Sequence, residues 1–356
     1  MDHILNNDEL TRKGILIVSL DFELYWGVRD IYSLDQTRAK LLAARSAIPA
    51  LLDLFVAYGI HATWATVGML FAETREELVS TAPSIKPQYT QPELSPYQEL
   101  ERVGPDEGND PYHYAGSLIR LIRSTPHQEI GTHTFSHYYC LEDGQQLDAF
   151  QADLITALEA ARRLGLKIES IVFPRNQVNP DYLQVCAELG IKTYRGNNAG
   201  WIYAPRQRNR ESQLRRAIRL LDCYFKLSGH NTYHAPQIPP GLRVPMNLPS
   251  SRYLRMYSKP LGALEPLRLA RIRGEMMHAA SHRGIYHLWL HPEDLGSHFE
   301  ENMSFLRKIL DSFASARDRN EMESLNMRET FQKFYVSTAA IADSRTCEVY
   351  AGGVHA

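Results

Sequence analysis

The sequence predicts a parallel α/β fold in one barrel-sized domain, and three observations carry that reading. Strand-like and helix-like segments alternate through most of the chain, the pattern that builds a parallel sheet with helical crossovers. The first strand, "GILIVSL" (14–20), is almost continuously apolar, as suits a strand covered on both faces. The 356 residues, 44% hydrophobic and 22% charged, are ordinary globular material, long enough for one large core and without an internal repeat or disordered linker to divide it.

Composition also excludes several classes. The formal net charge of −2 supplies no polycationic surface, so nucleic acid is not an expected partner. The amino-terminal "MDHILNNDELTRKG" lacks the basic and then apolar segments of a secretory signal. No uninterrupted apolar run approaches the roughly 20 residues of a membrane helix. The expectation is a soluble, cytoplasmic protein with no transmembrane segment. Cys140, Cys186, Cys223 and Cys347 are scattered, without CxxC spacing or disulfide density, and read as free thiols.

Element by element, the strand at 14–20 is followed by a helix capped by Asp35, with Leu41, Leu42 and Ile48 among its apolar positions. Pro49 then starts a second helix carrying Leu51, Leu52 and Phe55, which Gly59 stops. "IHATWATVG" (60–68), rich in β-branched and aromatic residues, is a second strand. Residues 72–112, dense in Pro, Ser and Gln, form a long surface excursion of the kind that is often functional. "HQEIGTH" (127–133) is a short strand, and 145–165 a helix with Leu147, Phe150, Leu154, Leu158 and Ala161 on one face. Strands at 168–173 and 191–196 flank a helix opened by Asn179 and Pro180 and closed by Gly190. Residues 200–265 are irregular apart from a helical stretch at 211–225, and "GIYHLWL" (284–290) is the last strong strand. Ser297 with Glu300, and Asn326 with Glu329, have capping-box spacing before two carboxy-terminal helices.

In such a fold, side chains just past the carboxyl ends of the strands converge on one face. Four strands end on polar or ionisable residues: Asp21 and Glu23, His133 and His137, Arg175 and Asn176, and His291. Gathered at one barrel mouth, they would make a divalent-metal hydrolase site, where an ion acidifies a water and a carboxylate takes the proton. HxxxH spacing occurs four times, so context decides among the pairs. His278 and His282 lie near a helix end, where the dipole favours histidine without a ligand. His230 and His234 lie in an irregular segment, with surface or substrate-contact roles open. Of His287 and His291, on one strand face, only His291 reaches the mouth. His133 and His137 alone sit at a strand end among small residues. Taken singly each residue has a duller explanation: Asp21 as a cap, Arg175 as a surface ion pair, Trp26 and Trp289 as core.

In their order along the chain, "SLDFELYWG", "EIGTHTFSH", "FPRNQ" and "HLWLHP" resemble the successive motifs of the polysaccharide deacetylase family, the NodB-homology or carbohydrate esterase family 4 group. The resemblance runs from about 14 to 296 and extends to members associated with surface-polysaccharide biosynthesis. It implies a distorted (β/α)7 TIM-like barrel with carboxy-terminal helices, a core over about 14–296 and a helical extension over about 297–340 of a single domain spanning 1–356. It also implies a divalent metal, Zn2+ first with Co2+ or Ni2+ as alternatives, and hydrolysis of an acetyl group from an amino sugar. Asp21 is then the base and Glu23 a metal ligand, the reverse assignment being the alternative. On a strand their spacing of two points both to one side. His133 and His137 match the metal-binding histidines, Arg175 the arginine that orients the base, and His291 the acid that protonates the leaving amine. Asp222 and Asp294 are the candidates for its aspartate partner. Trp26, Trp289, Asn176 and the 72–112 excursion are the expected sugar-binding surface.

The expected activity is that of a carbohydrate deacetylase, a hydrolase acting on a non-peptide carbon–nitrogen bond. Its substrate would be an N-acetylated or O-acetylated sugar precursor of a surface polysaccharide, carried on a nucleotide or a lipid inside the cell rather than in finished wall polymer. The alternatives are hydrolysis of a non-sugar C–N bond, such as a ureide or cyclic amide, and a non-catalytic binding protein on the same scaffold.

Overall fold

The computed structural model describes residues 12–207, 210–234 and 243–335. Cys347 and the end of the expected carboxy-terminal extension lie outside them; Cys140, Cys186 and Cys223 are free thiols.

Strand β1 (Gly14–Phe22) is buried along its whole length and organises the fold. Its side chains alternate between two environments, as a pleated strand requires. Leu16, Val18, Leu20 and Phe22 enter the large core beneath the helices. Ile15 and Ile17 face a separate inner cluster with Ala65, Val172, Met246, Leu248 and Ile285. The same alternation carries Ser19, Asp21 and then Glu23 up the inner side.

The other strands are β2 (Ala62–Thr66), β3 (Gln128–Thr132), β4 (Ser170–Val172), β5 (Thr193–Arg195), β6 (Met246–Asn247), β7 (Arg252–Tyr253), β8 (Ile285–Leu290) and β9 (Met322–Ser324). Their order is β6-β5-β4-β3-β2-β1-β8-β7, with β9 on the first residues of β1, and the pairings are parallel. β6 and β7 are opposite edges of the sheet, yet consecutive in the chain. The segment between them closes the ring: Leu248 N donates to Tyr194 O at 2.9 Å on one edge, and Ser251 N to His287 O at 2.8 Å on the other. Counting 246–253 as one broken stave gives seven staves in a distorted barrel.

The helices are α1 (Leu34–Tyr58), α2 (Arg75–Thr81), α3 (Gly116–Ser124), α4 (Leu147–Arg163), α5 (Leu183–Glu188), α6 (Gln213–Asp222), α7 (Glu265–Ser281) and α8 (Phe299–Asp318), with a further helical run over 327–335. Two boundaries differ from the sequence reading. Pro49 does not restart a helix but sits inside α1, whose buried stripe of Ala44, Ala47, Ile48, Leu51, Leu52 and Phe55 runs straight past it. That packing offsets the roughly 3 kcal/mol a mid-helix proline costs. The helix starts at Ser33, whose N–H donates to Gln36 Oε1 at 2.9 Å, while Asp35 pairs with Arg38 on the surface. α1 is long and apolar enough to cross a membrane by composition alone, but its apolar stripe is a core face.

At the carboxy terminus one expected capping box forms and the other does not. Asn326 and Glu329 bond reciprocally, at 3.0 and 2.9 Å. Before α8 the cap position is His298, in a left-handed conformation with φ 52, and Ser297 does not cap the helix. The 327–335 run plugs the barrel floor, sending Met327, Phe331 and Phe334 into the inner cluster. Above that floor Glu129 accepts from Thr63, Ser170 and the N–H of Arg328. Asp21 and Glu23 lie toward the opposite end, at the carboxyl end of β1.

Candidate active site

β1 delivers Asp21, and the turn that ends it delivers Glu23. Leu24, the next residue, has φ +44, a strained value for leucine that turns the chain sharply. Glu293 fixes this turn by accepting the N–H groups of Glu23 and Leu24 at 2.9 and 2.7 Å. Gly27 has a steric reason: a Cβ there would fall 1.9 Å from Glu23 Cδ, so the carboxylate rests in space only glycine leaves open. Burial, added to by the charge of Glu23, raises the pKa of Glu293.

His133 follows β3 and His137 follows a tight turn in which Thr134 and His137 itself have positive φ, 62 and 56. Asp153 of α4 holds that turn, accepting from Phe135 N at 2.7 Å and Ser136 N at 3.2 Å. His133 Nδ1 lies 2.8 Å from the Val172 carbonyl, which can only accept, so Nδ1 carries the proton and Nε2 presents its lone pair. That Nε2 is buried and has no hydrogen-bond partner. It lies 3.5 Å from Glu23 Oε2, and His137 Nε2 lies 3.0 Å from the same oxygen.

Two imidazole nitrogens and a carboxylate therefore converge within 4.8 Å of one another, all buried. A neutral imidazole lone pair facing an anion is unfavourable unless a cation lies between them. The orphaned Nε2 of His133, and the nitrogen–oxygen donor set, fit a zinc-type divalent ion. Burial pushes His137 down to about 4, keeping it neutral as a ligand must be. Burial opposes the charge on Glu23, but His291 and His137 hold its pKa well below the usual carboxylate range.

Asp21 has a different partner from the one expected. Arg195, at the end of β5 and fully buried, grips it with both nitrogens, Nη1 to Oδ1 at 2.6 Å and Nη2 to Oδ2 at 2.7 Å. Arg195 also donates to Asn176 Oδ1 at 2.8 Å and Ser19 Oγ at 3.1 Å, and its guanidinium lies 4.3 Å over the ring of Trp289. Arg175 is not among the partners of Asp21. The turn after β4 gives both Arg175 and Asn176 positive φ, 54 and 52. Asn176 meets Arg195, whereas Arg175 pairs with Asp30 and stacks 4.1 Å from the Tyr139 ring. The sequence held a signal for Arg195, since "IKTYRG" is a strand ending on a cation, but its single arginine was outside the four-motif series.

His291, just past β8, completes the mouth with Nε2 3.8 Å from both Asp21 Oδ2 and Glu23 Oε1. Its Nδ1 lies 3.6 Å from Asp294 Oδ2, and Asp294 is itself held by Lys40 and by Tyr253 Oη at 2.6 Å. Of the two aspartate candidates, Asp294 is thus the partner. Asp222 belongs to a buried network with Arg252, Arg271 and Ser228. Burial works against the charge of His291, but Glu23, Asp294 and Asp21 hold it up to about 10. His287, one inward layer below, donates from Nδ1 to Leu248 O at 3.1 Å and accepts from Ser19 Oγ at 2.8 Å, which supports Arg195 in turn.

The residues expected to form a sugar-binding surface do not all lie at one cavity. Trp26 is fully buried, donating Nε1 to His113 O at 2.9 Å, and is core. The 72–112 excursion packs inward through Leu100, Val103 and Tyr112. The cavity beside the site, about 480 Å3, takes its wall instead from residues within 197–206, 211–223 and 250–255, together with Asn176 and Trp289. His278 stacks between His230 and His282, with centroids 4.0 Å apart on each side. None of these three belongs to the Glu23, His133 and His137 cluster.

No family model and no curated protein matches the sequence. Among solved structures, the chain is similar to a Mycobacterium smegmatis protein described as a polysaccharide deacetylase, at TM-score 0.57 and 13% identity over 91% of both chains. It is also similar to a 4-alpha-glucanotransferase from Thermococcus litoralis, at TM-score 0.51 and 12% identity, covering 90% of this chain and 40% of that one. The chain has the fold of the first, a seven-stave distorted barrel.

Proposed function

We propose that this protein is a metal-dependent hydrolase that removes an acetyl group from an N-acetylated sugar. The observation that carries the reading is the division of labour around Glu23. Glu23 turns one oxygen, Oε2, toward two histidine Nε2 atoms, while Asp21, two residues earlier, is held apart by Arg195. That division supports reading Glu23 as a ligand and Asp21 as the base.

Glu23, His133 and His137 would hold the ion, Zn2+ by donor type. When bound it supplies Lewis acidity, polarising a carbonyl oxygen and making water acidic enough to yield a proton near neutral pH. Asp21 takes that proton. The Arg195 fork fixes its orientation and keeps it ionised: burial alone would raise its pKa, and Arg195 with His133 brings it below the ordinary value. His291, protonated through its carboxylate neighbours, gives a proton to the departing nitrogen, so that amine rather than amide anion leaves. Asp294 aims the ring. Trp289, half-buried at the cavity, offers the sugar an aromatic surface.

The test is acetate release from a panel of N-acetylated amino sugars and their glycosides by zinc-reconstituted enzyme. Asp21→Asn and His291→Ala should each lose about 100-fold or more in kcat. No acetate from any panel member, with a ureido acid released from a cyclic ureide instead, would overturn the reading in favour of non-sugar C–N hydrolysis.

A further inference from the structure

The cavity beside the catalytic mouth is unusually cationic. Six arginines and one carboxylate, Glu211, line it. Three of the six are neutralised: Arg219 by Glu211 at 3.0 Å, Arg252 by Glu275 at 2.6 Å, and Arg175 by Asp30. Among the described residues, no ion pair or side-chain hydrogen bond occupies Arg206, Arg216 or Arg255. Scattered over open surface, such groups would simply be solvated. Here they share one concavity with Asn176 and Trp289, both of which touch Arg195 and so border the reaction centre.

From this juxtaposition we infer that the site takes its sugar as a glycosyl phosphate or diphosphate, with Arg206, Arg216 and Arg255 receiving the phosphoryl oxygens while the acetamido group reaches Asp21 and His291. The inference rests on the sugar-hydrolase reading and specifies its substrate class. Guanidinium forks match phosphoryl oxygens in shape as well as charge, and several uncompensated ones in a cavity suit a dianion better than a neutral polymer. A volume near 480 Å3 accommodates a sugar ring and its phosphates. The phosphoryl group has two possible sources, a nucleotide or a polyprenyl carrier, which present the same oxygens to these residues.

Calorimetry with inorganic pyrophosphate tests the anion site without relying on turnover. Wild-type enzyme should bind it, and the combined Arg206→Gln, Arg216→Gln, Arg255→Gln variant should bind at least about tenfold more weakly. Arg38→Gln, altering an exposed arginine elsewhere, should bind like wild type. Absence of binding, or equal binding by the triple variant, as simple capture of the metal would give, overturns the proposal. So does glucuronate binding as tightly as pyrophosphate with the same arginine dependence. Uridine diphosphate N-acetylglucosamine and a short-chain polyprenyl diphosphate N-acetylglucosamine in detergent then identify the source, tighter arginine-dependent binding of either one supporting the site. Arginine-dependent pyrophosphate binding with no acetate release would leave this site standing and defeat the deacetylase reading.

Discussion

Arg195 holds both oxygens of Asp21 at 2.6 and 2.7 Å, from the opposite end of a buried chain that begins at His287 and passes through Ser19. The arrangement spreads the desolvation of a buried ion pair over several hydrogen bonds, and it gives the Asp21 carboxylate a fixed direction.

Removing that guanidinium should raise the pKa of Asp21, because burial would then be opposed only by the weaker influence of His133 and His291. A base must be deprotonated to work, so Arg195→Gln should move the acid limb of the kcat/KM–pH profile upward and destabilise the fold by about 3–5 kcal/mol. Arg175→Gln should leave that limb where it is. An identical shift in both variants would return Arg175 to the role the motif resemblance gave it.

Gly27→Ala places a methyl group where the Glu23 carboxylate sits. The expected result is a folded protein whose zinc affinity, measured by competition with a chromophoric chelator, falls about 10- to 100-fold. Glu23→Ala and His137→Ala should lose the ion outright. Undiminished zinc affinity in Gly27→Ala would mean that Glu23 is not a ligand.

Asp294→Asn takes away one of the carboxylates that keep His291 charged. The folded pKa of His291 is raised to about 10. Its contribution to stability is therefore complete below about 6.5, the unfolded value, and is lost as pH rises through the folded value. The variant should lower the alkaline limb of the rate profile by about one unit or more. Unchanged alkaline behaviour would detach Asp294 from the acid.

His287 gives the opposite sign. Burial, with Arg195 nearby, depresses it to about 3, while the unfolded residue titrates near 6.5. Between those values the unfolded chain binds more protons, so stability falls as pH falls, by at most about 1.4 kcal/mol per unit. His287→Gln should flatten the dependence of the urea midpoint on pH from 4 to 6.5. A slope equal to wild type would exclude His287 as the source.

Trp289→Ala should raise KM and spare the fold, because Trp289 is a half-buried cavity residue. Trp26→Phe should instead lower the melting temperature with KM unchanged, since Trp26 hydrogen-bonds to His113 inside the core. A KM effect at Trp26 would restore it to the sugar surface.

The sequence by itself determined the β1 strand, its alternation into Asp21 and Glu23, and the strand-end positions of His133, His137 and His291. These follow from local pattern, because a period of two and the end of an apolar run are written in consecutive residues. It also held the Asn326–Glu329 cap, another local device. Tertiary structure decided what depends on distant partners or on φ. The positive φ values of Arg175 and Asn176 put the asparagine on Arg195 and the arginine on Asp30, an exchange that no spacing rule contains. Burial turned Trp26 into core and left Trp289 at the cavity. Only closure of the barrel, which brings β5 across from β1, gave Asp21 its arginine: residues 174 positions apart meet because seven staves form a ring, and sequence separation carries no trace of that neighbourhood.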